Sequence, residues 1–283
     1  MALTIVSTNI NKERKFALEF VKKYFTGVDS VCLCFFIEFP MSELYEFQQE
    51  TSIYNCIIER CGRFLIVYSN IHILTKCVVE YPVQEPRAMF CEFKDHQKLE
   101  RYRIAVVHGL DLMSYPANSP ERTGHDYVMF KAIRSHIFDG PAKEFVPAFI
   151  VGDFNMFPFS DSMFKDWGLK SSSDTYEIGD RASVHLYNHS LEMVHNLNNQ
   201  INSNSTKHIW GTYRFVSKNE RYRSFTSYEL IDNVFFSPMS MRMLQSGKIE
   251  SRYLIELNGM PIISRDDMVI EKFDHLPIEL CIL

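Results

Sequence analysis

The sequence predicts a layered α/β domain. Short β-branched and aromatic runs recur from one end to the other, helical apolar spacing fills several of the gaps between them, and no segment repeats another. The strand candidates, in order, are LTIVST (3–8), SVCLCFFIEF (30–39), RFLIVYS (63–69), RAMFCEF (87–93), RYRIAVVHG (101–109), PAFIVGD (147–153), ELIDNVFFS (229–237), SRYLIEL (251–257) and LPIELCIL (276–283). Between them, KERKFALEFVKKYF (12–25) sets Phe16, Phe20, Val21 and Phe25 on one helical stripe. GHDYVMFKAIRSHIF (124–138) does the same with Val128, Ile133 and Ile137. SDSMFKDWG (160–168) offers Ser160 or Asp161 as a cap and Gly168 as a stop. The polar stretch 188–207 reads as a surface loop or insertion. Candidate site residues fall on both sides of it, so the expectation is a single domain over 1–283, closing on a strand with no appended module at that end.

Composition narrows the class. A chain of 283 residues that is 46% hydrophobic can bury a large core, which excludes a disordered protein. A formal net charge of −5 argues against a basic nucleic-acid coat or a polybasic membrane anchor. It leaves room for a nucleic-acid enzyme, because a metal ion or a local basic rim can hold phosphate. The cysteines are odd in number, seven, with no CxxC pair, and read as small buried hydrophobes in a reducing compartment. The start, MALTIVSTNINKERK, has too short an apolar stretch for a signal peptide, and VCLCFFI is too short to span a bilayer. The expected protein is soluble and cytoplasmic, without a membrane anchor; its oligomeric state is not legible.

Four segments carry chemistry. In FIVGDFNMFPFSD (149–161) a buried strand delivers Asp153 and Asn155, which share a face if the chain stays extended. A carboxylate can activate water or bind a cation, and an amide can donate to a phosphate oxygen. A Gly-Asp turn with Asn155 as a cap is the competing reading. In LIDNVFFSP (230–238) Asp232 lies in an apolar strand, where a carboxylate needs a partner such as histidine. KFDHLPIEL (272–280) sets Asp274 and His275 just before the last strand, and VVHGLD (106–111) brings His108 to a strand end. Alone, the first pair reads equally as solvated residues at a strand start, and His108 as a structural histidine. All four segments nevertheless sit at strand ends, where open α/β sheets place their sites. Acids, an amide and two imidazoles together suit metal-assisted hydrolysis of a phosphate ester.

The order GDFN, then I-D-x-V-x-x-S, then DHLPI resembles the endonuclease/exonuclease/phosphatase superfamily, over nearly the whole chain from Asn9 to His275. That resemblance implies a DNase I-like four-layer α/β sandwich, two packed mixed or antiparallel sheets flanked by helices. It implies that Asn9, Glu38 and Asp274 hold Mg2+ or Mn2+, that His108 and Asn155 contact the phosphoryl group, that Asp153 positions the attacking water, and that Asp232 orients the catalytic His275. Two positions depart from the pattern. Aligning on Cys32-Leu33 puts Phe35 where the metal-binding glutamate belongs, so Glu38 takes that role only if the strand is longer or slipped; and Phe273 replaces the serine before Asp-His.

The expected activity is therefore a metal-dependent phosphodiester hydrolase, a nuclease acting by in-line attack of water. The alternatives are a phosphatase or phosphodiesterase on a small or lipid phosphate, and a non-catalytic binding protein that kept the fold. The segment 207–223 mixes Lys207, Arg214, Lys218, Arg221 and Arg223 with Trp210, Tyr213 and Tyr222, which suits nucleic acid through stacked bases and paired phosphates. A solvated hairpin with a packed tryptophan reads equally well there.

Overall fold

The computed structural model describes residues 2–27, 29–79, 87–96, 100–111, 114–116, 119–138, 146–156, 160–164, 169–173, 185–201, 211–216, 226–264, 269–270 and 274–283. Two mixed sheets form the centre. The first has six strands in the order Ile249–Tyr253, Ile278–Ile282, Leu3–Asn9, Val31–Ile37, Phe64–Ser69, Ile57–Cys61. The second has seven, in the order Ile71–Val78, Ala88–Asp95, Arg101–His108, Ala148–Asp153, Asp232–Phe236, Leu186–Asn188, Ser171–Ser172.

Each sheet has a parallel pair at its heart, made by a strand–helix–strand crossover; the second sheet has a further short parallel pair at its edge, Leu186–Asn188 with Ser171–Ser172. Leu3–Asn9 runs parallel to Val31–Ile37 through helix Arg14–Tyr24, and Arg101–His108 runs parallel to Ala148–Asp153 through helix Pro120–Phe138. Parallel neighbours require such a crossover, and it leaves both strands of a pair ending at the same edge. The functional residues collect at those edges.

Side-chain alternation explains the layers. In the second sheet Met89, Cys91, Phe93, Tyr102, Ile104, Val106, Phe149, Val151, Val234 and Phe236 join the core shared with the first sheet. The residues between them, Phe90, Ala105, Val107, Ile150 and Phe235, pack instead with Met129, Phe130, Ile133 and Ile137 of the long helix. The first sheet is covered on its other side by helices Arg14–Tyr24 and Leu44–Thr51, where Phe36 meets Phe20 at 5.8 Å and Phe47 at 6.5 Å between ring centres. Helix, sheet, sheet and helix stack in four layers, as expected. Each fully buried phenylalanine contributes roughly 1.5–3 kcal/mol relative to exposure, and this core holds many.

All nine predicted strands coincide with observed ones, although 251–257 is shifted to Ile249–Tyr253. Several predictions need correction. The long helix starts at Pro120, capped by the Ser119 hydroxyl that accepts from the Arg122 amide at 3.2 Å, and its buried stripe runs Arg122, Asp126, Met129, Ile133, Ile137 while Val128 is exposed. The supposed loop from 188 holds helix Ser190–Ile201, which buries Met193, Val194 and Leu197; its many asparagines disguise a short apolar stripe. Residues 202–207 lie outside the described residues. The helix near 160 is only Asp161–Phe164, and Gly168 also lies outside them. Strands Ile57–Cys61 and Ile71–Val78 were not legible, because both are edge strands with half their side chains in water. None of the seven cysteines is in a disulfide; Cys32, Cys34, Cys61 and Cys91 are buried, but Cys77 is exposed. Among the described residues no helix is long and apolar enough to cross a membrane.

Gly152 has φ +132°, and a Cβ there would come within 2.3 Å of the Val107 carbonyl oxygen on the neighbouring strand. Gly152→Ala is expected to lower stability by about 1–3 kcal/mol in urea denaturation. Gly124, inside the long helix with nothing within 4 Å of its missing Cβ, is the contrasting case: Gly124→Ala should raise stability by about 0.5–1 kcal/mol.

Candidate active site

Register builds the site. His108 pairs with Asp153, and Asp153 with Asp232, so three neighbouring strands of the second sheet end side by side in one row. By parity each points to the face that meets the first sheet. There the amide of Asn9, last residue of the first strand, donates to Asp153 Oδ2 at 3.1 Å across the interface. All four of these residues are buried.

Asp153 is held from several directions. Besides Asn9, the Asn155 backbone amide donates to its Oδ1 at 2.9 Å and the Asn155 side chain to its Oδ2 at 3.3 Å. The chain does not stay extended here, so the condition for a shared face is not met and the turn is the better reading: the strand stops at Asp153, and Asn155 is left-handed at φ +49°. An Asp side chain bonding the amide two residues on is a common turn device, and it places the amide beside the acid by another route. The remaining reach of Asn155 goes to the Gly109 carbonyl at 3.3 Å.

Asp232 and His275 form a buried pair. His275 Nδ1 lies 3.1 Å from both Asp232 oxygens, and its Nε2 lies 3.8 Å from Asp153 Oδ2. Burial resists charging His275, but Asp232 and then Asp153 outweigh it and push the imidazole up to about 10. Burial lifts the Asp232 carboxyl to about 6 against the pull of His275, so the pair is carboxylate and imidazolium at neutral pH. The backbone of Asp232 is pinned as well: the Thr212 hydroxyl accepts from its amide at 2.9 Å, and the Tyr253 hydroxyl donates to its carbonyl at 2.8 Å. The Leu276 amide donates to the carbonyl of the same threonine at 2.8 Å, which fixes the DHLPI segment against the strand.

Glu38 follows the second strand directly and is left-handed at φ +57°, an uncommon conformation for glutamate. That turn brings its Oε1 to 3.2 Å from His108 Nε2. The His108 bond, acting against burial, holds the Glu38 carboxyl at about 2. Burial pushes His108 itself down despite Glu38, so it is neutral and donates through Nε2. Phe35, the alternative in direct alignment, is fully buried in the core. Asp274 is half-buried and accepts from the Asn11 side chain at 2.6 Å, while the Asn11 amide donates to Asn9 Oδ1 at 2.9 Å. Asn11, Lys12, Glu38 and Asn155 are all left-handed, a concentration of strained backbone around one site.

The structure thus brings Asn9, Glu38, His108, Asp153, Asn155, Asp232 and His275 into one chain of contacts and attaches Asp274 to it through Asn11. Among the described residues, Asp153, Asp232 and His275 offer ligand atoms that all lie within 4.8 Å of one another. Within this trio Asp232 already engages His275 Nδ1 at 3.1 Å, which leaves Nε2 facing Asp153 Oδ2 at 3.8 Å. Glu38, Asp274 and Asn9 each end in a carboxylate or amide oxygen, the hard donor type that Mg2+ or Mn2+ takes. Sequence reasoning missed Asn11, Thr212, Tyr253 and Arg122. Of these, only Arg122 carried a local signal, the helix start Ser119-Pro120-Glu121. The aromatic and basic segment falls largely beyond view: Lys207, Trp210, Lys218, Arg221, Tyr222, Arg223 and also Phe273 lie outside the described residues. Tyr213 and Arg214 sit in strand Tyr213–Val216, paired antiparallel with Thr226–Glu229.

Glu38→Gly should leave net stability within about 1 kcal/mol of wild type in urea denaturation, because relief of the left-handed strain offsets the lost bond to His108. The same variant is expected to lose any rise in melting temperature that Mn2+ gives the wild type.

No family model and no curated protein matches the sequence. Solved structures do match it along its length. Truncated Caenorhabditis elegans TDP2 aligns with 100% of this chain and 98% of its own at a TM-score of 0.56 and 13% identity. The Bacteroides thetaiotaomicron mannosyl-6-phosphatase Bt3783 aligns with 99% and 100% at 0.58 and 13%, and the human Nocturnin catalytic domain, solved with a bound sulfate anion, with 99% and 93% at 0.55 and 12%. An endonuclease/exonuclease/phosphatase family protein from Bacteroides thetaiotaomicron aligns with 99% and 97% at 0.57 and 14%. The chain therefore has the DNase I-like fold of the endonuclease/exonuclease/phosphatase proteins.

Proposed function

We propose that this chain is a single-domain, divergent member of the endonuclease/exonuclease/phosphatase superfamily and a metal-dependent phosphoesterase that cleaves phosphodiesters as a nuclease. The observation that carries the reading is the meeting of both sheets at Asp153, with Asn9 donating from one side and His108 and Asp232 flanking it on the other. The fold alone would allow many activities; this row of side chains supports the hydrolytic reading.

In the proposed reaction Asp153 orients the attacking water. Its donors Asn9 and Asn155 keep the carboxylate still, so the water is aimed before substrate arrives. His275, carried as an imidazolium by Asp232, donates from Nε2 toward the same region and stabilises charge building on the phosphoryl oxygens. Neutral His108 donates from Nε2, exchanging Glu38 for a phosphoryl oxygen. Asn155 adds a donor by giving up one of its two long 3.3 Å bonds. Glu38, Asp274 and Asn9 would hold the cation; Glu38 Oε2 and Asp274 Oδ1 stand outside the bonds named above and supply the acidic oxygens. When bound, the cation would neutralise charge on the phosphate and steady the leaving oxygen.

Nucleic acid is the favoured substrate. TDP2 from Danio rerio has been solved with a single-stranded DNA product, at 12% identity and a TM-score of 0.54 to this chain. The net charge of −5 favours instead a smaller phosphate, and Bt3783 is a sugar phosphatase. Purified protein tested on single-stranded DNA, duplex DNA, RNA, a sugar phosphate and a generic bis-phosphodiester, with Mg2+ or Mn2+ and with EDTA, separates these readings. Cation-dependent cleavage of a nucleic acid is the expected result, and inactivity on every substrate would leave a binding protein. Asp153→Ala and His275→Ala should each lower the rate at least about a hundredfold while circular dichroism stays that of wild type. At a concentration a hundred times its dissociation constant, Mn2+ should stabilise the fold by about 2.7 kcal/mol.

A further inference from the structure

Among the described residues, Arg122 is one of the largest side chains that the fold buries completely, at 1% exposure. A buried guanidinium is costly unless its donors are met, and an apolar side chain of similar size would fill the space without that cost. Arg122 spends its donors in an unusual way. One terminal nitrogen donates to the carbonyls of Leu110 at 2.8 Å and Tyr115 at 3.1 Å. The other donates to the carbonyl of Asn155 at 2.7 Å. Its Nε lies 3.7 Å from Asp126, one turn on in the same helix, which balances the charge.

Those carbonyls belong to the two segments that carry the site. Leu110 is two residues beyond His108, and Asn155 is two beyond Asp153. The segments already touch: the Gly109 amide donates to the Asp153 carbonyl at 2.7 Å, and a Cβ on Gly109 would fall within 1.9 Å of the Phe154 carbonyl oxygen. Beyond that contact both chains leave the sheet, and Asn155 turns left-handed. No strand ladder fixes them there, and the arginine fork spans the gap.

We propose that Arg122 is a positioning residue which clamps the loop after His108 to the loop after Asp153, setting the separation of the phosphoryl donors His108 and Asn155 from the water-orienting Asp153. The proposal deepens the phosphoesterase reading and rests on it for its kinetic consequence, but not for its structural one. A planar fork that reaches carbonyls on two segments has no substitute in lysine, whose donors radiate from one point. Arg122→Lys keeps the charge opposite Asp126 and loses the span.

The test compares Arg122→Lys and Arg122→Gln with Arg103→Lys. Arg103 is a buried arginine near the other end of the same strand as His108, paired with Glu92 at 3.1 Å. Hydrolysis of bis(p-nitrophenyl) phosphate in Mg2+ gives kcat and KM. Amide hydrogen exchange reports on residues 108–111 and 153–156. Both Arg122 variants should lower kcat by roughly ten- to a hundredfold with KM within about threefold, and should speed exchange in the two loops but not in strand Leu3–Asn9. Arg103→Lys should do neither, whatever it costs in melting temperature. Wild-type kcat in Arg122→Lys, or unchanged exchange in both loops, would overturn the clamp. So would failure of both Arg122 variants to fold, since the residue would then serve the whole domain. If the wild type hydrolyses nothing, the phosphoesterase reading fails and the exchange result alone decides the clamp.

Discussion

The bond from Asn9 to Asp153 is the constraint on which the rest depends. It crosses from one sheet to the other at the edge where both parallel pairs end, and it is made between buried residues 144 positions apart in sequence. A strand that slipped by one residue within its own sheet would turn Asp153 or Asn9 to the opposite face, because side chains alternate. The shared core of Val106, Val151, Val234 and their partners therefore sets more than stability. It fixes the relative position of two strand ends to the tolerance that chemistry needs.

Around that bond the site divides its labour by charge. On one side, Asp232 and His275 form an ion pair shut in by Thr212 and Tyr253. On the other, Glu38 leans on a neutral His108. Asp153 stands between, 3.9 Å from one imidazole and 3.8 Å from the other. Two histidines beside one carboxylate, one charged and one neutral, give a donor of each kind without either being specialised by sequence. Their environments alone set them apart.

Most of the architecture was legible in the sequence because the strands that matter are buried on both faces and read as continuous apolar runs, as in Val31–Ile37 and Ala148–Asp153. What was not legible has physical causes. Edge strands such as Ile71–Val78 alternate with water and resemble loops. The helix from Ser190 hides a short apolar stripe among asparagines. In the site, His108, Asp153, Asp232 and His275 stood out by their place at strand ends, and the fold brings them together. Those that act by holding others were not: Thr212 contributes a hydroxyl to a backbone 20 residues away, and Arg122 reads on its own as one more surface charge. Glu38 is the intermediate case. Its sequence position is wrong for a simple alignment with Phe35, and only the left-handed turn after the strand brings it beside His108.

The measurement that reaches the centre of this account is anomalous diffraction from crystals soaked in Mn2+. The account predicts one strong peak at roughly 2.1 Å from a Glu38 oxygen, close to Asp274 and Asn9, with Asp153 still bonded to Asn9. A peak seated among Asp153, Asp232 and His275 with Glu38 turned away, or no peak at saturating Mn2+, would contradict it.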